Sequence, residues 1–358
     1  MDGRELRIGS RRIAAGEPAF IVAELSANHH HSLETAIEMI HAVHRAGADA
    51  VKLQTYTPDT MTIDCKNEFF RVGAGTPWEG KTLYELYTEA FTPWEWQPEL
   101  MRAAGECGLD LFSTPFDATA VDFLEDMNVP AYKVASFELV DIPLIEVIAA
   151  TGKPMILSTG MATHEEIDQA VTAAKAAGAV ELALLRCTSA YPARPEEADL
   201  RTIPDLAEAF DVVPGLSDHT LGIAIPVAAV ALGACIVEKH FTLSRSEPGP
   251  DSSFSLEPAE FKDMVEAIRT TEKALGSVRY GPRKGELPSQ VFRRSLFVVA
   301  DIKRGEPFTP QNVRSIRPGH GLPPASIVDV LGRGAAADIA RGTPLTWDLV
   351  DLGTDPAR

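Results

Sequence analysis

The chain has 358 residues, of which 45% are hydrophobic, and a formal net charge of −18 at pH 7. This length and composition predict one large domain with its own core, followed by a small domain. The negative charge repels polyanions, so we expect neither nucleic acid nor an anionic membrane as a partner.

The N-terminal segment and the cysteines indicate a soluble, cytoplasmic protein. No run of about 18 apolar residues occurs, and "MDGRELRIGSRRIAAGEP" lacks the apolar core of a signal peptide. The four cysteines, Cys65, Cys107, Cys187 and Cys235, are widely spaced and form no C-x-x-C motif. We therefore expect reduced thiols and no cysteine metal cluster.

Strand-like apolar segments alternate with helix-like patterns along most of the chain. The strand-like segments are 19–25, 48–55, 109–115, 131–136, 154–159, 181–189, 212–218 and 234–241. Such alternation predicts parallel strands joined by crossover helices. Eight units over roughly 250 residues favour a closed (β/α)8 TIM barrel over an open sheet. No G-x-G-x-x-G follows the first strand, which disfavours a dinucleotide-binding fold.

Most of these strands end in polar residues. In chain order the polar residues are Glu24, Lys52, Gln54, Ser113, Thr114, Lys133, Ser136, Ser158, Thr159, Thr188, Ser189, Tyr191, Ser217, His219, Glu238 and His240. Any one serine or threonine could simply cap a helix. In a parallel barrel, however, all these ends meet on one face. Two lysines among several hydroxyls predict a site for a small phosphorylated or carboxylated ligand.

Two histidines of this set predict a metal site. His219 ends the seventh strand and His240 the eighth, so their imidazoles should be neighbours with coordination positions left open for substrate. The alternative is that both are core or capping residues. His29 to His31, in "NHHH", form a competing candidate; we expect surface polar residues there, with His29 the best placed to face the pocket.

Several longer stretches carry a family pattern. They are "FIVAELSANH", "GADAVKLQTYTPDT", "YKVASFE", "ILSTGMAT", "RCTSAYP", "GLSDHTLG" and "VEKHFTL". Together they resemble the sialic acid synthase family, which condenses phosphoenolpyruvate (PEP) with an amino-sugar aldehyde to give nonulosonic acids. The resemblance covers about residues 17 to 352. "ELSANH", "QTYTPDT" and "YTPWEW" resemble the branch that makes pseudaminic acid, whereas N-acetylneuraminate synthases more often have Glu-Ile-Gly-x-Asn-His.

The resemblance implies roles for individual residues. His219 and His240 would bind a divalent ion, with Mn²⁺ expected and Mg²⁺ or Co²⁺ as alternatives, and Glu24 would act as a general acid or base. Glu238 could orient an imidazole. PEP would be bound by Lys52, Ser113, Lys133, Ser136, Ser158, Ser189 and Ser217. The sugar, expected to be 2,4-diacetamido-2,4,6-trideoxy-altropyranose, would contact Gln54, Tyr191 and Asp251.

Two positions depart from the family pattern. His30 and His31 stand where Asn-Gly is frequent, which leaves the shape of that loop open. Pro248 precedes Gly249 where a second glycine is frequent, and we expect it to stiffen the loop that carries Asp251.

The C-terminal part is predicted to be a separate small domain. A catalytic barrel over 1–275 is followed by a linker rich in Gly, Pro and charge over 276–292 and a small domain over 293–358. "DIKRGEPFTPQNV" and "DIARGTPLTWDLV" repeat one pattern, which predicts pseudo-symmetry. The domain resembles the antifreeze-like (SAF) domain of sialic acid synthases. This implies a homodimer with swapped C-terminal domains, in which Arg317 of "SIRPGHG" reaches the sugar.

Three alternatives stay open. The chain could be an N-acetylneuraminate or legionaminic acid synthase. It could be a barrel aldolase that forms a Schiff base at Lys133 or Lys239. It could also be a sugar-binding protein without activity.

Overall fold

The computed structural model describes residues 4–73, 78–247 and 249–353, so Pro248 and its predicted effect lie outside the described residues. The chain divides into two compact units, Met1–Gly276 and Ser277–Arg358. Within the described ranges, no helix is both long and apolar enough to cross a membrane.

The first unit is built on parallel strands, and the second on an antiparallel pair. The strands are β1 Glu5–Ile8, β2 Arg11–Ala14, β3 Phe20–Glu24, β4 Ala50–Thr55, β5 Asp110–Pro115, β6 Tyr132–Val134, β7 Met155–Ser158, β8 Leu182–Cys187, β9 Val213–Asp218, β10 Ile236–His240, β11 Ser295–Val298 and β12 Val313–Ile316. Strands β3 to β10 close a barrel in chain order, with β10 paired to β3. The predicted TIM barrel is confirmed, and each of its strands lies within a predicted segment.

The helices of the first unit pack around this barrel. They are α1 Leu33–Ala46, α2 Pro58–Met61, α3 Leu83–Ala90, α4 Gln97–Glu106, α5 Ala118–Asp126, α6 Ile142–Ala149, α7 His164–Ala176, α8 Thr202–Phe210, α9 Ala224–Ala231 and α10 Pro258–Leu275. The second unit contains α11 Ile327–Val330. Helix α1 illustrates how the sequence sets their bounds. The Ser32 hydroxyl accepts a hydrogen bond from Thr35 N at its start, and Gly47 ends it with a left-handed φ of 86°.

A hairpin that the sequence analysis did not predict covers the N-terminal end of the barrel. Strands β1 and β2 pair antiparallel, and they bury Leu6, Ile8 and Ile13. These side chains form one cluster with Phe20, Phe112 and other aliphatic residues from the barrel interior. This end of the barrel is therefore filled by apolar side chains.

Strand β10 explains why a buried strand finishes in ionisable residues. All five of its residues are buried, and side chains alternate between the two faces of a strand. Glu238 and His240 line the central cavity, whereas Lys239 is hydrogen-bonded to Asp218 and to the backbone oxygen of Thr220. One short segment thus supplies both site groups and a buried ion pair in the surrounding layer.

The second unit is organised around the repeated sequence. Ile302 and Ile339, which are equivalent in the two copies, exchange backbone hydrogen bonds of 2.9 and 2.8 Å. The Asp301 carboxylate accepts from Arg341 N, and Asp338 accepts from Arg304 N in the same manner. The predicted pseudo-symmetry of this unit is confirmed.

Candidate active site

The C-terminal ends of the barrel strands surround a cavity of about 470 Å³. Its polar lining includes most of the residues that the sequence analysis selected. They are Glu24, Lys52, Gln54, Lys133, Ser136, Ser158, Tyr191, Ser217, His219, Glu238, His240 and Asp251. The convergence of these groups follows from the barrel, because parallel strands end on the same face.

A buried network of charges forms the floor of the cavity. Lys52 Nζ lies 2.7 Å from Glu24 Oε2 and 3.2 Å from Glu238 Oε1. Burial alone would lower the pKa of Lys52, but Glu238 and Glu24 hold it above its usual value. Burial raises the pKa of Glu24, whereas Lys52 and Lys133 outweigh burial at Glu238 and lower its pKa. Lys52 is therefore a permanent cation between two carboxyl groups of different acidity.

Lys133 is the second buried cation of the cavity, and its surroundings are different. Its Nζ donates 2.7 Å hydrogen bonds to Ser158 Oγ and to Val134 O. Burial lowers its pKa to about 8, and Lys52 acts in the same direction. An anion bound beside Lys133 would stabilise its charged form.

Serine hydroxyls lie next to Lys133. Gly160 N donates to Ser136 Oγ at 3.1 Å, and a side-chain carbon on Gly160 would collide with the hydroxyls of Ser136 and Ser189. Ser189 is not among the cavity-lining residues, yet its buried Oγ has no partner among the described residues. The glycine leaves room for these hydroxyls, and together with Lys133 they can contact an anionic ligand.

The two imidazoles predicted to be neighbours lie side by side. The ring centroids of His219 and His240 are 5.3 Å apart, and Phe254 packs against both rings. His219 Nδ1 lies 2.9 Å from Thr188 O and carries the hydrogen, so Nε2 is the nitrogen that can bind a ligand when the ring is neutral. Burial alone would lower the pKa of His219, but Cys187 and Thr188 O raise it above its usual value. Burial lowers the pKa of His240 well below its usual value, so its ring is neutral.

This pair fits a divalent metal ion in its donor chemistry. Neutral imidazole nitrogen is a preferred ligand of divalent transition metals. The buried Nδ1 of His240 has no hydrogen-bond partner among the described residues. Residues 4–73, 78–247 and 249–353 contain no group of three His, Cys, Asp or Glu side chains that could hold a metal ion. His219 and His240 together would supply two nitrogen ligands.

A hydrogen-bonded group forms another side of the cavity. Gln54 Nε2 donates to Glu24 Oε1 at 3.2 Å and to Ser26 Oγ at 3.1 Å, and Ser26 Oγ donates to Asp251. The Tyr191 ring packs on His219 with centroids 4.5 Å apart. Gln54, Tyr191 and Asp251 therefore share the cavity with the proposed metal ligands.

Ser113 and His29, like Ser189, are not among the residues that line the cavity. Ser113 is turned outward by strand alternation, and its Oγ lies 2.6 Å from Thr55 Oγ1, next to α4. Thr114 points inward and accepts from Lys52 Nζ at 3.3 Å. The expectation that His29 would face the pocket is wrong: its Nε2 bonds Thr92 Oγ1 and its ring packs on Trp96. Arg317 belongs to the second unit, where it is exposed.

His30 and His31 are exposed, as predicted, and both have left-handed backbones with φ values of 50° and 53°. Glycine, which is frequent at this point of the family pattern, adopts this conformation without a steric penalty. His30 and His31 adopt it as well, so the departure from the pattern does not prevent this loop from turning.

Glu138, Cys187 and Ser26 are among the cavity residues that the sequence analysis missed. Glu138 follows Ser136 in "YKVASFE", and burial raises its pKa to about 7. Cys187 lies 3.9 Å from His219 Nδ1; burial alone would raise the pKa of its thiol, but His219 lowers it to about 7. Ser26 lines the cavity beside Glu24. Each lies within two residues of a selected strand end, and this was the signal available in the sequence.

The NeuB family model matches residues 39–280, and the SAF domain model matches residues 293–351. The chain is 46% identical to the pseudaminic acid synthase of Helicobacter pylori, over 94% of this chain and 98% of that protein. The chain belongs to the NeuB family. The family and SAF predictions are thereby confirmed.

Two further relatives show how far the likeness extends. The chain is 36% identical to N,N'-diacetyllegionaminic acid synthase of Legionella pneumophila, over 93% of this chain and 94% of that protein. The solved structure of spore coat polysaccharide biosynthesis protein spsE from Bacillus subtilis has a TM-score of 0.66 and 34% identity. This structural match covers 98% of this chain and 99% of the spsE chain. The NeuB likeness thus extends over both units of the chain.

Proposed function

We propose that this chain is a pseudaminic acid synthase. It condenses PEP with the open-chain aldehyde of 2,4-diacetamido-2,4,6-trideoxy-altropyranose and releases phosphate. Identity to the Helicobacter pylori pseudaminic acid synthase is 46%, against 36% for the legionaminic acid synthase, which favours this branch. The structural observation that carries the proposal is the meeting of two buried lysines and two imidazoles in one cavity.

PEP binds where cations and hydroxyls are concentrated. Lys52 and Lys133 attract its phosphate and carboxylate, and the hydroxyls of Ser136, Ser158, Ser189 and Ser217 donate hydrogen bonds to them. Thr114 rather than Ser113 supplies the inward hydroxyl of β5, because Ser113 is committed to Thr55. Burial strengthens these interactions, since little water competes for the anion.

The reaction forms one carbon–carbon bond and breaks one carbon–oxygen bond. C3 of PEP bonds to the aldehyde carbon, whose oxygen takes a proton and becomes a hydroxyl. Water adds to C2, and the bond between C2 and the phosphate oxygen breaks. The sum consumes one water and yields one phosphate and the nine-carbon acid. Cations beside the phosphate stabilise the charge that develops as it leaves.

Glu24 is proposed to transfer the proton to or from the sugar. Its raised pKa favours the protonated form, and Lys52 at 2.7 Å stabilises the carboxylate after the proton has moved. The alternative role, hydrogen bonding to the sugar alone, predicts a smaller loss of kcat in Glu24→Gln.

His219 and His240 would hold a divalent ion, with Mn²⁺ expected and Mg²⁺ or Co²⁺ as alternatives. Such an ion would supply Lewis-acid chemistry for activating the aldehyde. Glu238 contacts Ser217 Oγ at 3.2 Å and Lys52. It therefore supports the charge network of the floor rather than an imidazole.

The second unit is proposed to act in a homodimer. In the swapped arrangement the SAF domain of one copy would bring Arg317 to the sugar of the other copy. The exposure of Arg317 leaves its guanidinium accessible for such a contact. Domain bounds of 1–275 and 293–358 with a linker at 276–292, and a cytoplasmic location, remain part of this proposal.

The proposal is tested by phosphate release from PEP with three amino sugars, each with and without a chelator. We expect release with the altropyranose substrate at a rate well above that with N-acetylmannosamine or the legionaminic acid precursor. The chelator should abolish it, and added Mn²⁺ should restore it. Equal or faster release with another sugar would reassign the branch.

A Schiff-base aldolase is the second candidate, because the lowered pKa of Lys133 is typical of a lysine nucleophile. Lys239 does not serve this role, since it is paired with Asp218 away from the cavity. Borohydride with both substrates should leave the protein mass unchanged under our proposal. A mass increase located at Lys133 would favour the aldolase.

A further inference from the structure

Ser26 combines a buried position with a backbone conformation that favours glycine. It follows β3 directly, and its φ of 46° lies in the left-handed region. A side chain is strained there, whereas glycine is not. Ser26 is 4% exposed, so its hydroxyl is not there to contact solvent. The contacts of the hydroxyl inside the protein therefore have to explain why a serine, rather than a glycine, occupies this position.

The hydroxyl of Ser26 joins two groups that come from other parts of the barrel. It donates to Asp251 Oδ2, in the loop after β10, and accepts from Gln54 Nε2 of β4 at 3.1 Å. Gln54 Nε2 also donates to Glu24 Oε1 at 3.2 Å. One hydroxyl therefore connects β4, the end of β3 and the loop that carries Asp251.

The directions of these hydrogen bonds are fixed by chemistry. Ser26 Oγ donates its one hydrogen to Asp251 Oδ2. Burial raises the pKa of Asp251, and this hydrogen bond opposes the rise. The remaining lone pairs of Ser26 can then accept from Gln54, which orients the amide with its nitrogen toward Ser26 and Glu24. This turns the Gln54 oxygen away from them.

The second anchor of the loop is independent of Ser26. Trp78 Nε1 donates to Pro250 O at 2.8 Å, and the Trp78 ring packs on Tyr191 with centroids 5.5 Å apart. The backbone next to Asp251 is thus held without the serine. Loss of the Ser26 hydroxyl should therefore release the Asp251 carboxylate from this bond, leave Gln54 with its bond to Glu24 alone, and keep the loop in place.

We propose that Ser26 is a positioning residue for the sugar: its hydroxyl fixes the Asp251 carboxylate and the Gln54 amide as a pair of oriented acceptors for O–H and N–H groups. This inference rests on the proposed function, because it assigns a specificity element to the same reaction. A sugar with donors at matching positions is accepted, and one with a different stereochemistry leaves an acceptor unpaired. PEP, which binds through Lys52 and Lys133, is not affected.

Two substitutions separate the hydroxyl from the backbone. Ser26→Ala removes the hydroxyl and keeps the strained side chain, whereas Ser26→Gly removes both. We expect each to raise KM for the altropyranose sugar about tenfold, the effect of one well-oriented hydrogen bond to a charged group. KM for PEP should stay within about twofold, because the phosphate site is untouched. The preference for the altropyranose over N-acetylmannosamine, as a ratio of kcat/KM, should fall by a similar factor.

Asn128→Gly is the matched control for the backbone. Asn128 also has a left-handed φ, of 53°, but it is exposed and follows α5, outside the cavity lining. It should gain the stability of a relaxed backbone without a change in either KM. A double substitution provides a second check: in an Asp251→Asn background, Ser26→Ala should have little further effect on sugar KM, since its partner is already altered.

The outcomes distinguish the inference from the proposed function. A selective rise in sugar KM, repeated in direct calorimetric titration of the sugar onto the PEP-loaded enzyme, supports the role of Ser26. An unchanged sugar KM and selectivity in Ser26→Gly, with wild-type enzyme active, overturns the inference and leaves the synthase proposal intact. Failure of the wild type to bind or turn over any of the three sugars overturns both.

Discussion

The two ends of the barrel are built from the same strands but filled in opposite ways. At the N-terminal end, which we call the closed end, Leu6 and Ile8 from the hairpin pack with aliphatic residues such as Ile236. At the C-terminal end, which we call the catalytic end, the continuation of β10 presents Glu238 and His240 to the cavity. A barrel strand can therefore stabilise the fold at its start and carry chemistry at its finish.

This difference follows from the cost of burying charge. Apolar burial stabilises by about 25 cal/mol per Å², whereas a buried ion pair is roughly neutral against a hydrophobic replacement. The Lys52, Glu24 and Glu238 network therefore adds little stability and is explained by ligand binding. Substitutions at the two ends should accordingly separate stability from activity.

Removal of an imidazole at the catalytic end should have the largest effect. His219→Ala or His240→Ala should lower kcat/KM about a thousandfold or more, because the Lewis acid contributes several kcal/mol to the transition state. The melting temperature should stay near that of wild type. His44→Ala, in the exposed last turn of α1, is the matched control and should retain activity. Undiminished phosphate release in either cavity variant would refute the metal assignment.

Truncation at the closed end should reverse this pattern. Leu6→Ala leaves a cavity beside residues that are fully buried, and we expect a loss of about 3 kcal/mol in the free energy of unfolding. Urea denaturation followed by circular dichroism measures it. The kcat at 25 °C should be unchanged, because the catalytic groups lie at the other end. A large loss of kcat in the folded variant would contradict the separation of the two ends.

The pH dependence of PEP binding should depend on Lys133. Its pKa of about 8 predicts that KM for PEP rises tenfold per pH unit above about pH 8, as the amine loses its charge. Lys52 does not contribute to this rise, because its pKa is raised. In Lys133→Met, KM should be high at every pH, and the break near pH 8 should disappear. A break that persists in the variant would assign it to another group.

The same shift affects stability with a definite sign. The folded-state pKa of Lys133 lies below the value of 10.5 expected for the unfolded chain. Between these values the unfolded state binds more protons, so the free energy of unfolding contributed by Lys133 should increase from about pH 8 to about pH 10.5. Denaturation of wild type and Lys133→Met at several pH values compares the two slopes. Equal slopes would contradict the lowered pKa.

The smallest effect is expected at the surface of the hairpin. Arg12 forms exposed ion pairs of 2.7 Å with Glu5 and Glu17, and such pairs contribute little because water and salt screen them. Arg12→Ala should change the free energy of unfolding by less than about 1 kcal/mol. Arg12 and Leu6 lie on the same hairpin, but the Arg12 side chain is exposed and that of Leu6 is buried, so the two variants compare an exposed position with a buried one. A loss as large as that of Leu6→Ala would mean that the hairpin is held by charge.

The sequence was sufficient for the barrel because its periodic signals are strong. Each strand segment is apolar and bounded by glycine or polar residues, as in 154–159, and the repeat of eight units left few alternatives. The hairpin was missed because β1 and β2 have only four residues each and are rich in charge. Leu6 and Ile8 alternate with the polar residues Glu5 and Arg7, and Ile13 follows Arg12. This alternation with a period of two is typical of a strand with one buried face.

The side-chain directions were harder to predict than the site itself. Strand ends identified the cavity, but choosing between Ser113 and Thr114 requires the register of β5 against β4, which pairs Lys52 with Phe112. A shift of one residue reverses every direction. His29 depends on a loop contact with Thr92, 63 residues away. The pKa differences between Lys52 and Lys133 likewise arise from neighbours that only the folded chain brings together.

The central claim, that the catalytic end gathers a cation and PEP, is tested most directly by a crystal structure with PEP and Mn²⁺. Our account predicts an anomalous peak beside the imidazoles of His219 and His240, and PEP with its phosphate contacting Lys133 and the neighbouring serines. A peak bound elsewhere, or PEP outside this cavity, would contradict it.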